Sequence, residues 1–240
     1  MGKKSIIFWA LLCISLFLSA CAQNDAANID SNSPTVPLPH EYDVIINNII
    51  NAYPWNDDET TMVPENPELS YMYRRNSSLS EIGFALIDLD NNGQKELIIS
   101  DINNPFIYDL YTISDGEAIH IVDSGERYRY YLYENGYLEY QWSGGGMTSG
   151  YDFYRLNGST LDFIERITTD ASHALDIGMI SDLSEANDKE FYFRSESDQP
   201  EDYQPITSEE ATNAMEAYRN ANKPLAMEYT SLSEYKNNKG

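Results

Sequence analysis

From Gly83 onward the sequence breaks into short β-prone runs separated by turn residues, a rhythm that limits the chain to a sheet built mostly of hairpins. The runs fall at 83–88, 96–100, 106–113, 117–123, 128–134, 137–142, 151–156, 160–167 and 190–194. Glu134-Asn135-Gly136 and Asn157-Gly158 are hairpin signals, because Asn and Gly accept the positive φ that tight hairpin turns require. Most connections are too short for crossover helices, so an antiparallel meander is expected. The segment from Asp170 to Lys189 has no clear period and reads as loop with a strand around Leu175–Ile180. Tyr108-Asp109-Leu110-Tyr111 is echoed 43 residues later by Tyr151-Asp152-Phe153-Tyr154, an offset in the range of propeller blades. A closed propeller takes about four blades. Two partial copies therefore predict an open, twisted meander with, at most, incomplete propeller-like blades.

Helices should flank this sheet. Tyr42, Ile45, Ile46, Ile49, Ile50 and Tyr53 recur three and four apart, which predicts a helix burying one stripe and ending before Pro54. A short helical piece is expected near Glu68–Arg75, after a loop from Trp55 to Pro67. Thr207-Ser208-Glu209-Glu210 fits a capping box, and Ala211, Ala214, Met215 and Tyr218 then fall on one face of a helix that should stop near Asn222. The polar tail, 231–240, is expected to fray. The fold class is thus α+β, one domain over 39–230, mainly antiparallel meander with N- and C-terminal helices.

The first twenty residues carry Lys3 and Lys4, then an apolar run from Ile6 to Leu18, then small residues, the layout of a secretory signal over 1–20. The run is shorter than the roughly 20 residues needed to span a bilayer. Its end, Leu18-Ser19-Ala20-Cys21, resembles the lipobox of bacterial lipoproteins. That resemblance implies that Cys21 is acylated and becomes the new N-terminus, anchoring the chain by lipid to the outer face of the cell membrane. Residues 21–38 are rich in Asn, Asp, Ser and Pro and read as a solvated tether. Cys13 would leave with the signal, so the mature chain would have no disulfide.

With 15 basic and 39 acidic residues the formal charge is −24, a field that repels phosphate backbones and argues against nucleic-acid partners. Loss of Lys3 and Lys4 makes it more negative still. Anionic headgroups would repel such a body, leaving the acyl chains as its contact with the membrane.

Between the first two strands lies an acidic turn. Asp88, Asp90 and Asn92 occupy alternate positions, Gly93 permits a sharp bend, Gln94 can offer its backbone carbonyl, and Glu96 follows. Hard oxygen ligands at these offsets can wrap a Ca²⁺ ion. An EF-hand would need Glu at the twelfth position, where Ile99 stands, and helices where strands are expected. The loop instead resembles the Asp-x-Asp-x-Asp/Asn-Gly-x-x-Asp/Glu loop of integrin-type FG-GAP and VCBS repeats, which joins two strands around calcium. The resemblance implies a Ca²⁺ site formed by Asp88, Asp90, Asn92, the Gln94 carbonyl and Glu96, with Asn92 and Glu96 departing from the all-aspartate form. The order of helix, loop, meander and C-terminal helix is also similar to secreted lipoproteins of Gram-positive bacteria, which implies an address and no activity. A plainer reading makes Asn92-Gly93 an ordinary hairpin turn braced by its Asx side chains.

Catalytic patterns are sparse. His40, His120 and His173 are isolated, with no second histidine at zinc-ligand spacing. Ser143-Gly144-Gly145-Gly146 lacks the Gly-Lys-Ser/Thr of a phosphate loop and reads as a hairpin connection. Gly146-Met147-Thr148-Ser149-Gly150 has threonine where a nucleophile elbow has serine. Tyr128, Tyr130, Tyr131, Tyr133, Tyr137, Tyr140 and Trp142 crowd adjacent strands, where they either pack the sheet or stack on sugar or peptide. The expected role is a binding module for a protein or glycan. The competing expectation is a surface hydrolase acting on polysaccharide or peptide through an acidic pair.

Overall fold

The computed structural model describes residues 38–53, 70–75, 78–104, 106–134, 136–187, 189–219 and 225–239. The signal-like segment, Cys21, the tether and the 55–67 loop lie outside these residues. Leu38–Gly240 forms one compact unit that contains every described element.

All the strands read from the turn rhythm are present: β1 (Ile82–Ile87), β2 (Glu96–Asp101), β3 (Phe106–Ser114), β4 (Glu117–Asp123), β5 (Tyr128–Leu132), β6 (Tyr137–Gly145), β7 (Thr148–Asn157), β8 (Thr160–Asp170) and β9 (Tyr192–Ser195). Two short strands went unpredicted, β10 (Gln204–Ile206) and β11 (Thr230–Ser231). Every pairing is antiparallel, in one sheet of order β10-β9-β8-β7-β6-β5-β3-β2-β1-β11. β4 lies off this path. It pairs Asp109–Ser114 of β3, while β5 pairs Phe106 and Ile107 of the same strand. The sheet is therefore a continuous open meander, not a set of propeller blades. The sequence echo is real at the level of hairpins: Asp109 faces Asp123 as Asp152 faces Arg166, and the bulge follows Leu110 in one and Phe153 in the other.

One sheet face carries most of the helical cover. Helix α1 (His40–Asn51) sinks Tyr42, Ile46, Ile49 and Ile50 against Phe84, Leu97, Ile99, Phe106 and Tyr111. A 3₁₀ turn at Tyr71–Arg75 adds Met72 and Tyr73 to this core. Farther along the same face, α3 (Ser208–Arg219) packs Ala211, Ala214, Met215 and Tyr218 over Phe153 and Ile167, with the Tyr218 and Phe153 rings stacked at 3.8 Å. Its capping box is formed, Glu210 N donating to Thr207 Oγ1 at 3.2 Å and Thr207 N to Glu210 Oε2 at 2.8 Å. The opposite face buries Ile98, Ile107, Leu110, Leu132, Leu138 and Leu156, with Leu225 and Met227 lying against them.

Two expectations fail. The strand foreseen around Leu175–Ile180 is replaced by helix α2 (Ala171–Asp176), because Asp170 Oδ1 caps it, accepting from His173 N at 2.9 Å, and Ala174 is buried against Phe193. The tail expected to fray forms β11 and helix α4 (Leu232–Lys239). Leu232 is fully buried, the Tyr235 ring meets Phe84 edge-on at 5.4 Å, and Tyr235 and Lys239 both bond the Asp43 carboxylate of α1. Few apolar residues anchor this helix, so composition hides it. Among the described residues no helix is long and apolar enough to cross a membrane. If the tail is part of the core, Leu232→Ala should lower the unfolding free energy in urea by about 2–5 kcal/mol, whereas a frayed tail would lose almost nothing.

Candidate metal loop between the first two strands

Pairing of β1 with β2 ends at Ile87 and Glu96, so residues 88–95 form a longer connection than the two-residue Asn92-Gly93 hairpin. The backbone takes positive φ at Asn91 (59°) and Gly93 (90°), which turns the chain back on itself. Asp88 Oδ1 accepts from Asn92 N at 3.1 Å and Asp88 Oδ2 from Gly93 N at 3.0 Å. Asp90 Oδ1 accepts from Asn92 N at 3.2 Å, while Asp90 Oδ2 accepts from Asn92 Nδ2 at 2.8 Å. The Asx bracing of the plainer reading is therefore present. It coexists with a convergence that bracing does not require: carboxylate oxygens of Asp88, Asp90 and Glu96 lie within 4.8 Å of one another.

Glu96 is the deep end of this group. It is fully buried, and its oxygens accept from Leu89 N at 2.8 Å and Thr112 Oγ1 at 3.1 Å. Burial raises its pKa above the ordinary carboxylate value, partly offset by those two hydrogen bonds. Four other buried sheet carboxylates each meet a basic side chain: Asp109 meets His120, Asp152 meets Arg166, Glu165 meets Arg194 and Glu139 meets Arg219. Glu96 meets none among the described residues.

Of the five ligands read from the sequence, the structure brings together Asp88, Asp90 and Glu96. Asn92 turns its amide nitrogen toward Asp90, and its oxygen accepts from Gln94 N at 2.6 Å. The Gln94 side chain donates to Lys95 O at 3.1 Å. The group of three carboxylates could hold a metal ion.

Residues remote in sequence hold the loop in place. Gly158 N, in the β7–β8 turn, donates to Asp90 Oδ2 at 2.8 Å. Gly136, in the β5–β6 turn, comes so close that a Cβ there would lie 3.1 Å from Leu89 O. Tyr42 of α1 donates through its hydroxyl to Lys95 O at 2.8 Å, and Leu89 is buried in the second core. Asn157-Gly158 and Glu134-Asn135-Gly136 were legible as turns, but nothing in the sequence says that they abut the acidic loop. No family model, curated protein or solved structure matches this chain.

The raised Glu96 pKa carries a signed consequence. Without metal, the folded chain holds a proton that the unfolded chain releases as pH rises above the ordinary carboxylate value of about 4.5. Stability then falls with pH until the folded value is passed. Glu96→Gln, which keeps one oxygen to accept from Leu89 N and an amide that can donate to Thr112 Oγ1, should flatten this part of the curve of urea midpoint against pH measured in EGTA, and an unchanged curve would remove Glu96 as its source.

Proposed function

We propose that this chain is a lipid-anchored extracytoplasmic binding protein whose acidic loop holds a structural Ca²⁺. The observation that carries the metal reading is the convergence of Asp88 and Asp90 on a buried carboxylate with no basic partner among the described residues. A buried charge of this kind is costly unless a counter-ion or proton neutralises it. All three donors are hard oxygens, which suit Ca²⁺ rather than zinc or copper. The ion would stiffen the β1–β2 connection and, through Asp90 and Gly158, the β7–β8 turn. Its role there would be structural.

The same pairing pattern weakens the hydrolase alternative. A glycosidase needs two available carboxylates across a cleft. Asp152, Glu165 and Glu139 are instead each held by an arginine. The lipid anchor rests on the lipobox-like end of the signal segment, Leu18-Ser19-Ala20-Cys21.

Two measurements address these parts separately. Titration calorimetry of the Leu38–Gly240 unit should give Ca²⁺ binding with a rise in melting temperature. Asp88→Asn, which removes the charge and keeps one oxygen for Gly93 N while Asn92 N retains Asp90 Oδ1, should weaken that binding at least tenfold; absence of heat and of any melting shift at millimolar Ca²⁺ would refute the metal site. For the anchor, Cys21→Ser should leave the full-length chain as an unprocessed precursor without lipid label, while wild-type processing in that variant would refute lipidation.

A further inference from the structure

The face of the sheet opposite α1 and α3 carries a built aromatic surface. The register places Tyr128 beside Trp142, Tyr130 beside Tyr140, and Tyr140 beside Asp152, so these side chains share one face across β5, β6 and β7. Their rings are half-buried and close: Tyr130 and Tyr140 have centroids 4.7 Å apart, and Tyr128 and Tyr140 6.0 Å.

Several of these rings are held from beneath and from the side. The indole of Trp142 lies over Gly150, where a Cβ would come within 2.8 Å of it, and its Nε1 donates to Asp152 Oδ1 at 3.1 Å. Tyr128 lies over Gly125, where a Cβ would meet its ring at 2.6 Å, and donates to Asp123 Oδ2 at 2.9 Å. Asp152 is itself buried and clamped by Arg166 Nε at 2.7 Å and Nη2 at 2.5 Å. A surface needed only for packing does not require a fully buried carboxylate to fix the tilt of a half-exposed indole. By contrast, the Tyr130 and Tyr140 hydroxyls have no hydrogen-bond partner among the described residues.

We propose that this face binds a neutral polysaccharide, pyranose rings lying on Trp142, Tyr128 and Tyr140 while sugar hydroxyls bond the Tyr130 and Tyr140 phenols. The negative face of an aromatic ring attracts the partly positive C–H groups on the apolar side of a pyranose. Rings fixed in advance lose little entropy on binding. The ligand is neutral because Arg166 is committed to Asp152 and the chain as a whole carries −24, which repels an anionic polymer. A peptide fits this place poorly: β6 and β7 are interior strands paired on both sides, and β5 is paired to β6 along its length and to β3 at Tyr130 and Tyr131, so no free edge runs through the ring cluster for strand addition.

This proposal rests on the reading of the chain as a binding protein, and its test is made so that it fails independently of the metal and the anchor. Lipid-free Leu38–Gly240 protein, in EGTA, is run through native gels containing soluble β-glucan, xylan or galactomannan. At least one polysaccharide should retard it. Tyr140→Ala and Trp142→Ala should each weaken that retardation at least tenfold, and Tyr140→Phe by a smaller factor. Should Trp142→Ala fail to melt cooperatively, Tyr140→Ala, whose hydroxyl holds nothing in place, carries the test. No retardation by any of the three, retardation unchanged in Tyr140→Ala, or displacement of the polysaccharide by a basic peptide at this face would overturn the proposal.

Discussion

An acidic chain that folds around a sheet must bury some of its carboxylates, and the pairing of those carboxylates ties this structure together. Glu165 on β8 meets Arg194 on β9, Asp152 on β7 meets Arg166 on β8, and Asp109 on β3 meets His120 on β4. Glu139 on β6 accepts from Arg219 at the end of α3 and from Tyr133 Oη at 2.6 Å. Each pair joins elements that the chain must bring into register. Breaking such a pair by removing one partner costs about 3–5 kcal/mol, because the other charge is left buried and uncompensated. A one-residue slip in any of these hairpins would do the same, since it would send the side chains to the other face. The pairs thus specify register more surely than they add stability.

Glu96 stands outside this scheme, and the acidic loop follows from that. Burial raises its pKa, and either a proton or the cation we propose would neutralise it. Both solutions keep the Leu89 amide on the carboxylate, and Leu89 in turn fills the second core. The loop is consequently held at four points: Leu89 below, Tyr42 at Lys95, Gly158 at Asp90 and the close approach of Gly136. A mobile hairpin tip would have none of these.

Strands β1 to β9 and their antiparallel pairing were legible because turn residues and β-prone runs are local signals. Helix α3 was legible because its cap, Thr207 to Glu210, lies within four residues. What could not be read depended on contacts between distant positions. Asp109 and Asp152 were noticed as part of an echo, yet their burial and their cations are set by cross-strand register and bulges, which the sequence does not print. α4 is anchored by Leu232 and Tyr235 in an otherwise polar tail, too few apolar residues for a period. The metal loop was half legible. Asp88, Asp90 and Glu96 converge as their spacing suggested, while the Asn92 side chain is drawn into hydrogen bonds within the loop, where Asn91 takes a positive φ.

The two faces of the sheet place these features in separate regions. α1, α3 and α4 cover one face; the Arg219–Glu139 pair ties α3 to the sheet, and the Lys239–Asp43 pair ties α4 to α1. On the other face, the rings around Trp142 depend on Asp152 and Arg166, an ion pair that touches neither the acidic loop nor the helices. The two regions meet at the β7–β8 hairpin, one end of which braces Asp90 through Gly158 while its strands carry Asp152 and Arg166. A cation in the loop would therefore reach the aromatic face only by stiffening that hairpin. Such coupling would alter the order of the rings more than their chemistry, so the two sites are physically separable.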